Sequence, residues 1–314
     1  MKNTFLITGA TGFVGANITR ALIKKGEHVS IIVRNKKLNW RLKDLAPKID
    51  IHETDILNPY LAKIVEKIRP DYIFHLAAYG VYPHENDLSK MVDININGTI
   101  NLLQALKKNP FKLFINAGSS VEYGVKDNKM KETDILEPVN DYGITKAAAS
   151  LYCQKEGLRN ELPIITFRMF TPYGYYEDKN RLIPSIILSA LKNQPINISI
   201  PTNVRDFIFI DDVVESYLKA VRIRFVPGRI LNIGMGKQYT IENVVDMVLK
   251  ITKSKSKVEW GTVKQQERFI EPKMWEADIS RVKKLLQWKK IHTLEEGLRK
   301  TITWFEKNQN LYVS

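Results

Sequence analysis

A tyrosine and a lysine stand four residues apart in the segment YGITK, where Tyr142 and Lys146 open a predicted helix. Helical geometry puts residues four apart on one face, so we expect the lysine ammonium to lie near the tyrosine phenol. A neighbouring cation lowers the pKa of a phenol, which would let Tyr142 act as an acid or a base. Because this spacing also arises by chance, the assignment depends on the surrounding sequence.

Two serines, Ser119 and Ser120, belong to the segment GSSVEYG that follows a predicted strand over residues 113–116. Open parallel sheets bind their ligands at the carboxyl ends of strands. Either serine could therefore hydrogen-bond the oxygen that exchanges a proton with Tyr142. The alternative is that the serines only cap a turn.

Three glycines, Gly9, Gly12 and Gly15, follow the predicted strand TFLIT and open an amphipathic helix. Glycine allows the tight turn, the close approach of a pyrophosphate and the close packing of helix on strand, while helix N–H groups face the anion. The second strand, HVSIIV, completes a βαβ unit, so we predict a dinucleotide site. The predicted cofactor contacts within this loop are Gly9, Thr11, Gly12, Phe13, Val14 and Gly15.

The residues after the second and third strands predict how the adenosine is held. Arg34 occupies the position where a carboxylate would bind the ribose hydroxyls of NAD, and a cation there favours the 2′-phosphate of NADP. NAD stays possible, because Arg34 could stack on the adenine of either cofactor. Asp55 is placed to accept a hydrogen bond from the adenine amino group, or else it only forms a turn.

Strand and helix patterns alternate through the first half of the chain, which predicts an α/β fold with a Rossmann-type doubly wound parallel sheet. Proline breaks the later sequence into short elements, which suits a smaller C-terminal substrate domain. The predicted strands span residues 4–8, 28–33, 49–53, 72–76, 113–116 and 164–168. The predicted helices span residues 14–25, 59–68, 88–108 and 142–160. The predicted dinucleotide domain is 1–170, rejoined by about 205–233, with substrate-domain residues 171–204 and 234–314.

Composition narrows the class of protein. The 314 residues are 44% hydrophobic with a formal net charge of +14, and no run of eighteen apolar residues or leader pattern is visible. We therefore expect a cytoplasmic protein without a membrane partner. The lysines are spread out, which favours a solvated surface over a nucleic-acid site. Cys153 is the single cysteine, so neither a disulfide framework nor a cysteine metal site is expected, and we predict no metal.

With these motifs the chain resembles the extended short-chain dehydrogenase/reductase family, in its nucleotide-sugar epimerase, dehydratase and reductase branch. The resemblance runs through ordered motifs over nearly the whole chain. They are TGATGFVG, Asp55-Ile56, HLAA at 75–78, NxxGT at 95–99, SSVEYG, YxxxK, RDFIFIDDV at 205–213, NIG at 232–234 and ADISRVKKLLQW.

The resemblance implies an NAD(P)-bound Rossmann domain, a C-terminal domain that holds a nucleoside diphosphate sugar, and a catalytic triad of Ser119, Tyr142 and Lys146. Lys146 would also hydrogen-bond the nicotinamide ribose. Further cofactor contacts implied by the resemblance are Ile56, Leu76, Ala77, Ala78 and Phe170. The implied substrate contacts are Ser120, Glu122, Thr171 and Arg205.

Several of these assignments have alternatives. Arg205 would meet the substrate diphosphate, or else pair with Asp206 or Asp211 across the domains. Thr171 stands where the family usually has asparagine, so its substrate contact differs in detail. Glu122 could be a sugar ligand or the partner of a surface lysine. Family members often dimerise through two helices, so a homodimer is expected.

Departures from the family pattern narrow the reaction. The 4,6-dehydratases carry an Asp-Glu pair where this chain has Ser120 and Val121, and valine cannot transfer a proton. Reduction of a 4-keto-6-deoxy sugar nucleotide by NADPH and NAD-dependent 4-epimerisation both remain, and Arg34 favours reduction. A non-catalytic NADP-sensing regulator is a third possibility, which the YxxxK pair disfavours.

Overall fold

Alternating strands and helices make up most of the computed structural model, which describes residues 2–223, 227–262, 272–289 and 291–312. The strands are β1 (Thr4–Thr8), β2 (His28–Val33), β3 (Asp50–Glu53), β4 (Tyr72–His75), β5 (Leu113–Ser119), β6 (Ile164–Met169), β7 (Thr171–Tyr173), β8 (Ile196–Ile198), β9 (Val204–Arg205), β10 (Phe207–Phe209), β11 (Arg229–Ile233), β12 (Tyr239–Thr240) and β13 (Val258–Trp260). The helices are α1 (Phe13–Lys24), α2 (Leu61–Ile68), α3 (Leu88–Met91), α4 (Gly98–Leu106), α5 (Asp141–Arg159), α6 (Leu182–Leu191), α7 (Ile210–Ala220), α8 (Ile241–Thr252), α9 (Ser280–Leu286) and α10 (Leu294–Lys307).

Seven strands form one parallel sheet in the order β3-β2-β1-β4-β5-β6-β11. The chain moves outward from β1 to β3, then returns to the other side of β1 to begin β4. This reversal opens a crevice at the carboxyl ends of β1 and β4, where doubly wound sheets bind ligands. The Rossmann-type α/β fold predicted above is therefore confirmed. Strand β11, which follows β10 in the chain, also joins this sheet beside β6. The exact domain boundaries stay a prediction.

Both faces of this sheet are buried, which explains the nearly continuous apolar runs of its strands. Phe5 and Ile7 of β1 point into one core with Phe74 and Phe167, and Leu6 points into the opposite core. The remaining strands form three two-stranded sheets, β7 with β10, β9 with β12, and β8 with β13. Among the described helices, none is both long and apolar enough to span a membrane.

The helix predicted over residues 88–108 is interrupted in the structure. A π-helical turn, Val92–Asn97, separates α3 from α4. Asn95 lies in this wider turn, and its side chain forms hydrogen bonds with Tyr79 and Thr145. The helix predicted from residue 142 begins one residue earlier, with Asn140 as its cap.

Close packing of α1 on the loop after β1 depends on Gly15. A Cβ added at Gly15 would lie 2.2 Å from the backbone oxygen of Gly9, whereas a Cβ at Gly98 of α4 would meet the movable side chain of Ile56. We expect Gly15→Ala to lower the free energy of unfolding by about 2 kcal/mol, because the backbone must shift. Gly98→Ala is the matched control, with a smaller loss. Urea unfolding without ligands measures both, and equal losses would contradict the prediction.

Candidate active site

A cavity of about 850 Å³ lies at the carboxyl ends of the strands and reaches residues of the C-terminal part of the chain. It brings together nearly all the site residues predicted from sequence. Those in its wall are Gly9, Thr11, Gly12, Phe13, Val14, Gly15, Arg34, Asp55, Ile56, Leu76, Ala77, Ala78, Ser119, Ser120, Tyr142, Lys146, Phe170, Thr171 and Arg205. Glu122 is the predicted site residue that does not line it.

The glycine loop has the shape that a dinucleotide pyrophosphate requires. Gly9 has φ +71°, and a Cβ there would lie 2.5 Å from the backbone carbon of Leu76. A Cβ at Gly12 would meet only the oxygen of Gly9, at 3.3 Å, so this position faces open space. Gly12 caps α1 without any side-chain acceptor for the helix N–H groups. The loop therefore leaves both room and donors for an anion.

Arg34 and Asp55 follow β2 and β3 and line the same cavity as the glycine loop. Arg34 is exposed at the rim of the cavity, after β2. One oxygen of Asp55 accepts a hydrogen bond from the N–H of Leu57 at 2.8 Å, so this aspartate does form the turn considered above. Its contact with adenine stays a prediction.

Tyr142 and Lys146 both project from the first turns of α5 into the cavity, with Ser119 at the end of β5 beside them. Burial is the largest cause of the pKa shift of both Tyr142 and Lys146. Burial raises the pKa of Tyr142 above its ordinary value, and Glu122 adds to this effect, while Arg181 and a hydrogen bond from Ser119 oppose it. Burial lowers the pKa of Lys146. The pKa of Tyr142 is therefore raised and not lowered as predicted, because desolvation outweighs the favourable charges.

Glu122 forms a buried ion pair rather than a substrate contact, which corrects both roles suggested for it. Arg168 of β6 donates from Nε to one carboxylate oxygen at 2.7 Å, and both side chains are almost fully enclosed. The other oxygen accepts from the N–H of Ser119 at 2.7 Å and from the hydroxyl of Ser150 at 2.9 Å. The pair thus fixes the turn that carries Ser119 against β6 and α5. The capping pattern S-x-x-E at 119–122 could have indicated the contact of Glu122 with the Ser119 N–H, although not its pairing with Arg168.

Asn95 was not predicted as a site residue, although the NxxGT motif contains it. Its carboxamide oxygen accepts from the N–H of Tyr79, and its nitrogen donates to the Tyr79 carbonyl and to the Thr145 hydroxyl. Thr145 precedes Lys146, and its hydroxyl also donates to the Tyr142 carbonyl. Asn95 therefore fixes the start of α5 against the loop after β4.

Another missed residue, His75, lies at the end of β4 beneath the site. The hydroxyl of Thr8 lies 2.6 Å from Nδ1, and that of Thr99 lies 2.9 Å from Nε2. The Thr99 hydroxyl donates to the Asn95 carbonyl, so it must accept from Nε2. Burial and the charge of Lys146 lower the pKa of His75 to about 3. A neutral imidazole thus links β1, β4 and the π-helical turn.

Arg205 faces the cavity with its guanidinium carbon 5.6 Å from the centre of the Trp275 ring. Its alternative partners have other contacts. Asp206 accepts from three backbone N–H groups, those of Met235, Gly236 and Ala277. Asp211 lies 3.9 Å from Lys300. The contact of Arg205 with a substrate diphosphate stays a prediction.

The fold is that of a dinucleotide-binding enzyme, and Ser119, Tyr142 and Lys146 lie together in the wall of its cavity. Residues 5–234 match the NAD dependent epimerase/dehydratase family, and the chain belongs to this family of extended short-chain dehydrogenases/reductases. It is 29% identical to a UDP-glucuronate 4-epimerase of Thermodesulfobacterium geofontis, over 99% of this chain and 98% of that protein. It is 31% identical to a trifunctional UDP-glucose 4,6-dehydratase, 3,5-epimerase and reductase of Arabidopsis thaliana, over 96% of this chain and 47% of that protein.

A solved structure resembles the whole fold. The UDP-glucuronic acid 4-epimerase of Bacillus cereus, in complex with UDP-glucuronic acid and NAD, superposes with a TM-score of 0.86. The two proteins are 29% identical, and the match covers 97% of this chain and 99% of that one. The class of enzyme predicted from the motifs is therefore confirmed, as a member of an NAD-dependent nucleotide-sugar family.

The buried pair of Glu122 and Arg168 should contribute strongly to stability. We expect Glu122→Gln to lower the free energy of unfolding by about 3 kcal/mol, because it leaves the Arg168 charge buried without a counter-charge. Arg299→Gln is the matched control, since Arg299 pairs with Glu295 on an exposed helix face and should cost less than about 1 kcal/mol. Chemical denaturation measures both variants. A Glu122→Gln loss no larger than the control's would refute a structural role for the pair.

Proposed function

We propose that this enzyme is an NAD-dependent 4-epimerase of a nucleoside diphosphate sugar. The proposal depends on one cavity, whose wall contains Ser119, Tyr142 and the glycine loop. The same wall contains Val121, an apolar residue that directly follows Ser120. A proton-transferring carboxylate at that place would favour dehydration. The 4-epimerases among the relatives support epimerisation better than the keto-sugar reduction favoured from sequence.

Epimerisation at C4 needs one group, in contact with the C4 hydroxyl, that first accepts its proton and later returns it. Bound NAD would supply a reversible acceptor for the hydride on C4. Tyr142 would take the hydroxyl proton and return it, and Ser119 would hold the same oxygen by a hydrogen bond. Lys146 would hold the nicotinamide ribose and add positive charge near the phenol. Apolar Val121 and Phe170 in the cavity wall would keep water from the intermediate ketone.

The cofactor proposed is NAD, held through each reaction cycle, instead of the NADP favoured by Arg34. An epimerase returns the hydride that it removes, so an exchangeable reductant is not required. The Bacillus cereus relative and a second similar structure contain NAD. The exposed side chain of Arg34 would then stack on the adenine.

A uridine diphosphate sugar is the substrate proposed. The Bacillus cereus relative binds UDP-glucuronic acid, and another similar structure contains UDP-glucose. Arg205 would meet the diphosphate, because a guanidinium can bind two phosphate oxygens at once. Ser120 and Thr171 would lie beside the sugar.

Replacement of the catalytic phenol tests the reaction. We expect Tyr142→Phe to lower the interconversion of UDP-glucose and UDP-galactose, or of the corresponding uronates, by about a hundredfold or more, with NAD still bound. Tyr152→Phe is the control, since Tyr152 lies on the outer side of α5 near Gln104. Products are separated by chromatography, and bound NAD is measured after denaturation. Unchanged turnover in Tyr142→Phe, or NADPH-dependent reduction of keto sugars without epimerisation, would contradict the proposal.

We also propose a homodimer formed through α5 and its neighbour α3. Ile144, Leu151 and Leu158 repeat every seven residues along α5, and each is at least half exposed. Leu88 and Val92 are also exposed nearby in the chain, in α3 and the π-helical turn. Exposed apolar stripes of this kind are typical of helix pairing between subunits.

Charged residues on the apolar stripe should separate the subunits. We expect the double variant Leu151→Glu and Leu158→Glu to be a monomer by light scattering, because carboxylates would be buried in the interface. The control is Ile135→Glu, which alters an apolar side chain that is 78% exposed on a loop. A wild-type protein that is monomeric at micromolar concentration would refute the dimer.

A further inference from the structure

A segment of the chain after β7 lies against the dinucleotide-binding side of the cavity. We call residues 175–181 the clasp. The side chain of Asn17 in α1 donates to the Tyr175 carbonyl at 2.9 Å, and the Arg20 guanidinium lies 4.3 Å from the Tyr176 ring centre. The hydroxyl of Tyr312 donates to the Glu177 carbonyl. These contacts attach the clasp to α1 on one side and to the end of the described chain on the other.

Arg41 meets the clasp from the loop after β2. Its side chain is 7% exposed and lines the cavity, and its Nε donates to the Tyr176 carbonyl at 2.7 Å. One terminal nitrogen, Nη2, is buried and has no hydrogen-bond partner among the described residues. A buried guanidinium nitrogen without an acceptor is costly, so this atom indicates a missing anionic or polar ligand.

Two contacts hold Arg41 near the glycine loop. The side chain of Asn39, two residues earlier, donates to the Thr11 carbonyl at 2.8 Å. The guanidinium of Arg20 in α1 donates to the Arg41 carbonyl at 2.6 Å. Arg41 is thus attached to the same loop and helix whose N–H groups would face the pyrophosphate of a bound dinucleotide.

Glu177 of the clasp also lines the cavity, with 6% of its surface exposed. One carboxyl oxygen lies 3.9 Å from Nε of Arg181, and the other has no hydrogen-bond partner in the described structure. Burial raises the pKa of Glu177 to about 8, although Arg181 and Arg41 oppose this effect and Asp178 adds to it. A carboxyl that keeps its proton near neutral pH does not repel an anion beside Arg41, and it can donate a hydrogen bond.

We propose that Arg41, held by the clasp, binds the pyrophosphate of the dinucleotide and slows its release from the enzyme. A guanidinium is suited to two phosphate oxygens at once, and the unpaired Nη2 is the donor that would be satisfied. The inference rests on the dinucleotide cofactor of the family and is independent of whether the reaction is epimerisation.

A sugar nucleotide also carries a pyrophosphate, so the two sources must be distinguished. Arg41 is attached to the glycine loop and α1, whereas Arg205, beside Trp275, lies in the part of the wall formed by the later chain. We therefore assign the pyrophosphate at Arg41 to the dinucleotide and leave that of the sugar nucleotide to Arg205.

The test compares Arg41→Gln with Lys36→Gln in the full chain. Lys36 lies in the same loop and loses the same charge, but it is exposed and outside the cavity wall. Protein loaded with NAD is diluted, and released NAD is measured over time by chromatography. We expect release at least about tenfold faster from Arg41→Gln and unchanged from Lys36→Gln, since charge-assisted hydrogen bonds are among the strongest.

A second arm measures the affinity for UDP with NAD saturating, by calorimetry, and we expect no change in Arg41→Gln. A wild-type rate of NAD release in Arg41→Gln would overturn the proposal. Weaker UDP binding with normal NAD release would also overturn it, because the pyrophosphate would then belong to the sugar nucleotide. Arg41→Lys keeps the charge and the side-chain stem, so it serves if Arg41→Gln does not fold, and faster release is expected there too. Neither arm requires turnover, so a failed epimerase assay leaves this result interpretable.

Discussion

The reversal of strand order between β1 and β4 determines where ligands can bind in this molecule. The connection after β1 runs towards β2, and the connection after β4 runs towards β5, on the opposite side of the sheet. No single crossover therefore covers the carboxyl ends of β1 and β4. The glycine loop leaves β1 there, and the loop that carries Leu76, Ala77 and Ala78 leaves β4. Gly9 must be glycine because these two loops nearly touch. The cofactor cavity thus depends on the strand order and on the absence of a side chain at Gly9.

Buried polar groups beneath the cavity form ion pairs and hydrogen bonds with one another, and these contacts keep the site ordered. Glu122 and Arg168 neutralise each other between β5 and β6, and His75 stays uncharged between two threonines. Asn95 uses its whole carboxamide on the loop after β4 and on α5. Pairing lowers the cost of burying these polar groups, and the same contacts position the turn at Ser119 and the start of α5.

Burial favours the neutral forms of the two titratable groups at the start of α5, Tyr142 and Lys146. The pKa of Tyr142 is raised and that of Lys146 is lowered, because charge is poorly solvated at the start of α5. The charge of Arg181, in the clasp, opposes the rise in the pKa of Tyr142 that burial causes.

Local spacing in the sequence determined the parts of the site that lie within one or two elements. The distance from Tyr142 to Lys146 is set by helical periodicity, and the loop from Gly9 to Gly15 by a strand followed at once by a helix, so both could be predicted. Tertiary structure alone decided that Glu122 meets Arg168, 46 residues later, instead of a sugar. It also decided that Arg41 meets Tyr176, 135 residues later. No local pattern records such pairs, because they form only when separate strands and loops are brought together at the carboxyl edge of the folded sheet.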